Sequence, residues 1–168
     1  MEWKESLLKL RLQYPWLGTR NKTNSRLFKY RSSTFFGLLC EKKEGTAARM
    51  SELLHQDGKK LSILCLPGKI AKKETKENSH SEVLLKWNGT PQSVSLDKFL
   101  SLPFNGIINL LESNSPQSEY VIRKSDAELK VRVLEKNSPA PWEREVYDLV
   151  FLSVKDKTRV VDYLRRLG

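Results

Sequence analysis

Twice along this chain a strand-like run leads directly into a helical stripe, and that repetition constrains the fold more than any other feature. The first junction, Val94-Ser95-Leu96-Asp97-Lys98, precedes Phe104, Ile107, Ile108 and Leu111, which fall at i, i+3, i+4 and i+7. Ser101 can cap that helix, and Pro103 falls in its first turn, where a missing N–H costs nothing. The second junction, Leu152-Ser153-Val154-Lys155-Asp156-Lys157, precedes a stripe of Val160, Val161, Leu164 and Leu167. Asp156 serves as its cap, and Asp162 and Arg166 are spaced for an i,i+4 pair. The two junctions are short, so a duplicated unit and a coincidence both account for them.

The remaining elements fill in around these two units. Leu8, Leu10, Leu12 and Tyr14 alternate with polar residues as a half-buried strand, although Trp3, Leu7 and Leu10 also fit a helical stripe. Arg26 to Lys43 reads as strand. Thr46 opens a short helix bearing Ala47, Met50, Leu53 and Leu54 and closed by Gly58. Lys59 to Leu66 reads as a buried strand stopped by Pro67-Gly68, and Glu82–Trp87 and Gln92–Leu96 as strands around an Asn-Gly-Thr-Pro turn. Glu119–Lys124 and Ala127–Glu135 form an expected hairpin turned at Ser125-Asp126, with Leu129, Val131 and Val133 on one face. Val146–Val154 is a further strand. Strands grouped ahead of each helix, without strand–helix alternation, predict an α+β fold of antiparallel sheets each followed by a helix. The 168 residues suit one such domain, 1–168, with a basic N-terminal segment 1–31 and a mobile Lys-rich loop 69–81.

Charge supplies the functional signal. Residues 1–80 hold 17 Lys and Arg against 8 Asp and Glu, whereas residues 81–168 hold 13 against 12. A basic half joined to a neutral half points to an anionic partner, with a solubilising surface as the plain alternative. The densest run, Arg20, Lys22, Arg26, Lys29 and Arg31, contains no acid and sets Phe28 and Tyr30 among its cations. Cations neutralise phosphates while rings stack on unpaired bases, so the run predicts a non-catalytic nucleic-acid binder favouring single-stranded DNA or RNA. Lys69, Lys72, Lys73 and Lys76 add candidate phosphate contacts. Alternation leaves two faces open for Phe28 and Tyr30: toward a bound base or into the core.

Other classes have less behind them. No apolar run reaches the ~20 residues of a membrane-spanning helix, and no secretory start is visible, so an intracellular protein without membrane partners is expected. Cys40 and Cys65 lie in apolar runs and read as buried, reduced thiols. His55 and His80 stand in no ligand spacing; neither a metal nor a cofactor is expected, and phosphate-loop and nucleophile-elbow motifs are absent. Glu128-Leu129-Lys130 matches the Glu-x-Lys element of metal-dependent nucleases, with Asp97 or Glu112 needed as second ligand, but such triplets arise by chance in charged chains. A third class is an interaction adaptor or scaffold subunit of a larger ribonucleoprotein or viral assembly, its helical stripes buried against partners.

The order of elements from Arg26 to Gly168, sharpest at Ser93–Leu111 and Tyr147–Leu167, resembles the superfamily of Whirly proteins, trypanosome guide-RNA-binding proteins and positive-cofactor-four coactivators. The resemblance implies two four-stranded sheets, each followed by a helix, a homo-oligomer packed through the helices, and single strands held on the sheets. The Lys-Gly-Lys-Ala-Ala-Leu motif of plant Whirlies is absent, and Gly68-Lys69-Ile70-Ala71 only echoes it.

Overall fold

Among the described residues strands and helices largely alternate, and that alternation corrects the expected antiparallel arrangement. The computed structural model describes residues 28–41, 45–66, 84–85, 91–92 and 94–168. In order they form β1 (Phe35–Glu41), α1 (Gly45–Gln56), β2 (Lys60–Leu66), β3 (Leu84–Leu85), β4 (Pro91–Gln92), α2 (Val94–Leu100) and β5 (Gly106–Asn109). Then follow α3 (Pro116–Lys124), β6 (Leu129–Val133), α4 (Glu143–Val146), β7 (Leu149–Phe151) and α5 (Arg159–Leu164). Five strands make one sheet in the order β2-β1-β5-β6-β7, and every pairing in it is parallel. Helices between successive strands return the chain to the same edge, so each new strand starts where the last one did. Among the described residues antiparallel pairing is confined to β3 with β4, on either side of the expected Asn88-Gly89 turn. The two antiparallel four-stranded sheets implied by the Whirly resemblance are not what these residues form.

Three segments change type, the first being Gln92–Leu96, expected as strand, whose Val94, Ser95 and Leu96 belong to α2. The stripe from Phe104 to Leu111 is centred on strand β5, not on a helix, and all four residues of β5 are buried. A strand covered on both faces is apolar at nearly every position, so it satisfies the helical period as well as its own. Glu119–Lys124, expected as strand, belongs to α3. There the Ser115 side chain accepts from the Ser118 N–H at 3.2 Å while Ser118 Oγ accepts from the Ser115 N–H at 2.9 Å, and these bonds fix the helix start. The expected Asp162–Arg166 pair is replaced by Asp162–Arg165 at 2.8 Å.

Side-chain alternation divides the core between the two faces. Phe36, Leu38 and Cys40 of β1, with Ile108, Leu129, Val131 and Val133, pack under Met50 and Leu54 of α1 and Val160, Val161 and Leu164 of α5. The expected shared face of Leu129, Val131 and Val133 and the closing stripe of α5 both hold. Leu39, Ile107 and Leu111 face the other way, against Leu96 and Phe99 of α2 and Val121 and Ile122 of α3. Two glycines permit close packing: a Cβ on Gly106 would sit 2.7 Å from Cε1 of Phe36 on the neighbouring strand, and one on Gly37 2.8 Å from Phe99 Cζ of α2. β2 lies at the sheet edge, so Lys59–Leu66 is not the buried strand expected; Ile63 and Cys65 are exposed while Leu64 and Leu66 are buried.

Candidate functional site

The basic run ends at the amino edge of the sheet, in the turn ahead of β1. Phe28 and Tyr30 are buried there and Lys29 and Arg31 exposed. Phe28 meets Phe36 edge-on at 6.2 Å, and Tyr30 lies 5.8 Å from the same ring. Both aromatics are therefore core residues, and neither presents a face to a base. The expected stacking pair is corrected on that ground. Along this turn the rings are buried and the cations exposed in alternation, although the residues form no strand.

A polar network fixes this turn. The buried ammonium of Lys59 donates to the carbonyls of Tyr30 at 2.7 Å, Ser33 at 2.6 Å and Arg31 at 3.3 Å. The Tyr30 hydroxyl donates to Asp57 at 2.6 Å, and Arg165 donates to both Asp57 oxygens at 2.8 and 3.1 Å. Burial, then the Asp57 carboxylate, pushes the Tyr30 hydroxyl well above its usual range. The hydrogen bond from Arg165 holds Asp57 below the usual carboxylate value, with burial opposing and Tyr30 assisting.

Chain topology gathers further cations at the same edge. Lys60 opens β2, and its N–H donates to the Thr34 carbonyl at 2.8 Å. Arg166 follows α5, whose end is tied back by the Tyr30 N–H donating to Leu167 at 2.8 Å. Lys29, Arg31, Lys60 and Arg166 are all exposed, and no ion pair with a described residue engages them. Arg20, Lys22, Arg26, Lys69, Lys72, Lys73 and Lys76 lie outside the described residues.

The opposite edge carries a cleft of about 370 Å³ lined by Glu112, Ser113, Asn114, Arg132, Asn137, Ser138, Ala140 and Glu143. Its floor comes from the polar side of β6. The Arg132 Nε donates to Glu143 at 2.6 Å, both side chains being almost fully buried, and its Nη1 donates to the Leu111 carbonyl. Beside it the Asn109 amide donates to the Tyr147 hydroxyl at 2.8 Å, and burial pushes that phenol well above its usual range. On the rim Lys157 donates to the Leu110 carbonyl at 2.7 Å and pairs with Glu112 at 3.1 Å. Burial acts to raise Glu112, but the Glu135 N–H at 2.7 Å and the Lys157 ammonium outweigh it and hold the carboxyl below its usual value. Among the described residues the buried Oδ1 of Asn114 accepts no hydrogen bond.

The model of a family of unknown function, DUF6913, matches residues 4–160. The chain belongs to that family. No curated protein and no solved structure matches it. In open parallel sheets ligands lie outside the carboxyl ends of the strands, at the point where strand order reverses. In this DUF6913 protein the reversal falls between β1 and β5, whereas the cleft opens one strand further along, over β5 and β6.

In this DUF6913 chain the Glu-x-Lys element is not brought together with Glu112. Glu128 precedes β6 and is exposed, while Glu112 follows β5; parallel strands put these two positions at opposite edges. Lys130 points into the core and donates to the Ile122 carbonyl at 2.6 Å. No group of three or more metal-ligating side chains occurs among the described residues. No helix among them is long and apolar enough to cross a membrane. Sequence reasoning missed Lys60, Arg166, Arg132 and Glu143, because only the fold brings them beside other groups.

Proposed function

We propose that this protein binds nucleic acid non-catalytically, through phosphate contacts at the amino edge of its sheet. The supporting observation is the set of exposed cations, Lys29, Arg31, Lys60 and Arg166, contributed by three separate segments of chain. Arg20, Lys22 and Arg26 continue the same run in sequence, which makes this edge the natural anchor of the basic half. Burial of Phe28 and Tyr30 removes the stacking component, so affinity follows phosphate charge with little dependence on base. Replacing Lys29, Arg31, Lys60 and Arg166 with Ala should weaken oligonucleotide binding and flatten its salt dependence by roughly 0.7–0.9 per lost contact. Undiminished affinity in that variant contradicts the proposal.

A second reading is favoured by the orphaned Asn114 Oδ1 at the cleft. That oxygen calls for a donor, so a small hydroxylated or amine-bearing molecule would suit the carboxyl edge. Its mark would be a small ligand that raises thermal stability in the parent chain and loses that effect in Asn114→Ala.

A further inference from the structure

Cys40 and Cys65 are the penultimate residues of β1 and β2, and the parallel register sets them directly opposite each other. Paired positions in a sheet share a face, and here the two sulfurs stand 3.7 Å apart. Strand neighbours are ~4.8 Å apart in the pairing direction, inside the ~4.4–6.8 Å range of Cα separations that a disulfide spans. Both thiols are reduced in the structure, and their environments differ: Cys40 is buried under α1, whereas Cys65 is exposed because β2 is an edge strand. One sulfur is reachable from solvent, and the other waits in contact with it.

We propose that Cys40 and Cys65 form a reversible dithiol–disulfide pair oxidised by hydroperoxides, with Cys65 the entry thiol and Cys40 the resolving thiol. The Cys65 sulfur attacks the peroxide; the O–O bond breaks, Cys65 becomes a sulfenic acid, and water leaves from hydrogen peroxide or the alcohol from an organic hydroperoxide. The Cys40 sulfur then displaces the hydroxyl of that sulfenic acid, forming the S–S bond and releasing water. Two thiols are oxidised by two electrons in all, and one hydrogen peroxide is reduced to two waters. The cross-link staples edge strand β2 to β1 at the carboxyl ends of both strands, and an external dithiol reverses it. A resolving thiol in contact also shields Cys65 from over-oxidation, since disulfide closure competes with a second peroxide.

The test is intact-mass and peptide analysis of the full chain after treatment with hydrogen peroxide at neutral pH. The expected product is a monomer lighter by about 2 Da, from loss of two hydrogens, with Cys40 and Cys65 in one non-reduced peptide pair. Dithiothreitol should restore two alkylatable thiols. In Cys40→Ser, Cys65 should stop as a sulfenic acid trapped by a dione probe, or gain further oxygen. The proposal is overturned if the parent chain gains oxygen on Cys65 while Cys40 remains alkylatable. A disulfide between two chains overturns it equally, as does a parent chain left unmodified by peroxide that oxidises a free cysteine derivative in the same tube.

Discussion

Arg132 and Glu143 form the floor of the carboxyl-edge cleft with 1% and 2% of their side chains exposed. Each needs the other, because an ionised group left alone in such a site costs far more than the pair contributes. Arg132→Met should therefore destabilise the chain by about 3–5 kcal/mol, and Arg132→Met with Glu143→Gln should recover part of that loss. Urea unfolding of the parent, single and double variants measures both. Asp57 gives a residue-level prediction in pH. Its carboxyl is held below the ordinary 3.8 by Arg165, so its contribution is complete above the unfolded value and is lost as pH falls through the folded one. Asp57→Asn should lower the urea midpoint at neutral pH and make the acid limb below pH ~4 shallower. An unchanged acid limb would remove Asp57 from the account of this edge.

At the scale of elements, the tightest constraint is the contact between β5 and β1. Alanine at Gly106 would put its Cβ 2.7 and 2.9 Å from two atoms of the fully buried Phe36 ring, which is held on every side. Gly106→Ala should cost about 1–3 kcal/mol by overpacking, read as a fall in the denaturation midpoint. This neighbourhood also shows what a sequence can and cannot reveal. Helix α1 was legible because Ala47, Met50 and Leu54 carry a one-sided stripe and Gly58 closes it at a positive φ of 71°. Strand β1 was legible from its continuous apolar run. β5 was not, because residues buried on both faces carry no period, and Phe104, Ile107, Ile108 and Leu111 matched a helix by their number alone. α3 was hidden for the opposite reason: Tyr120, Val121 and Ile122 are consecutive apolar residues that look like strand, and the signal that decides is the Ser115–Ser118 cap.

For the whole molecule, a few reassigned elements alter the topology. With 92–96 and 119–124 taken as strand and 104–111 as helix, strands group ahead of a helix twice beyond β2, and an antiparallel α+β fold follows. With all three reassigned, the alternation gives a five-stranded parallel sheet covered on both faces. The candidate edge was half legible. Charge runs showed Lys29 and Arg31, but Lys60 and Arg166 join them only because α1 and α5 both return the chain to the amino edge. The faces of Phe28 and Tyr30 were undetermined by alternation and are decided by packing against Phe36. The proposed charge-driven binding of polyanions at this edge is tested by a salt titration with matched single-stranded and duplex oligonucleotides. It predicts affinity that falls steeply with ionic strength for both forms, varies little with base composition, and loses slope when Lys29, Arg31, Lys60 and Arg166 become Ala. Binding that is absent at low salt, or insensitive both to salt and to those four replacements, would contradict it.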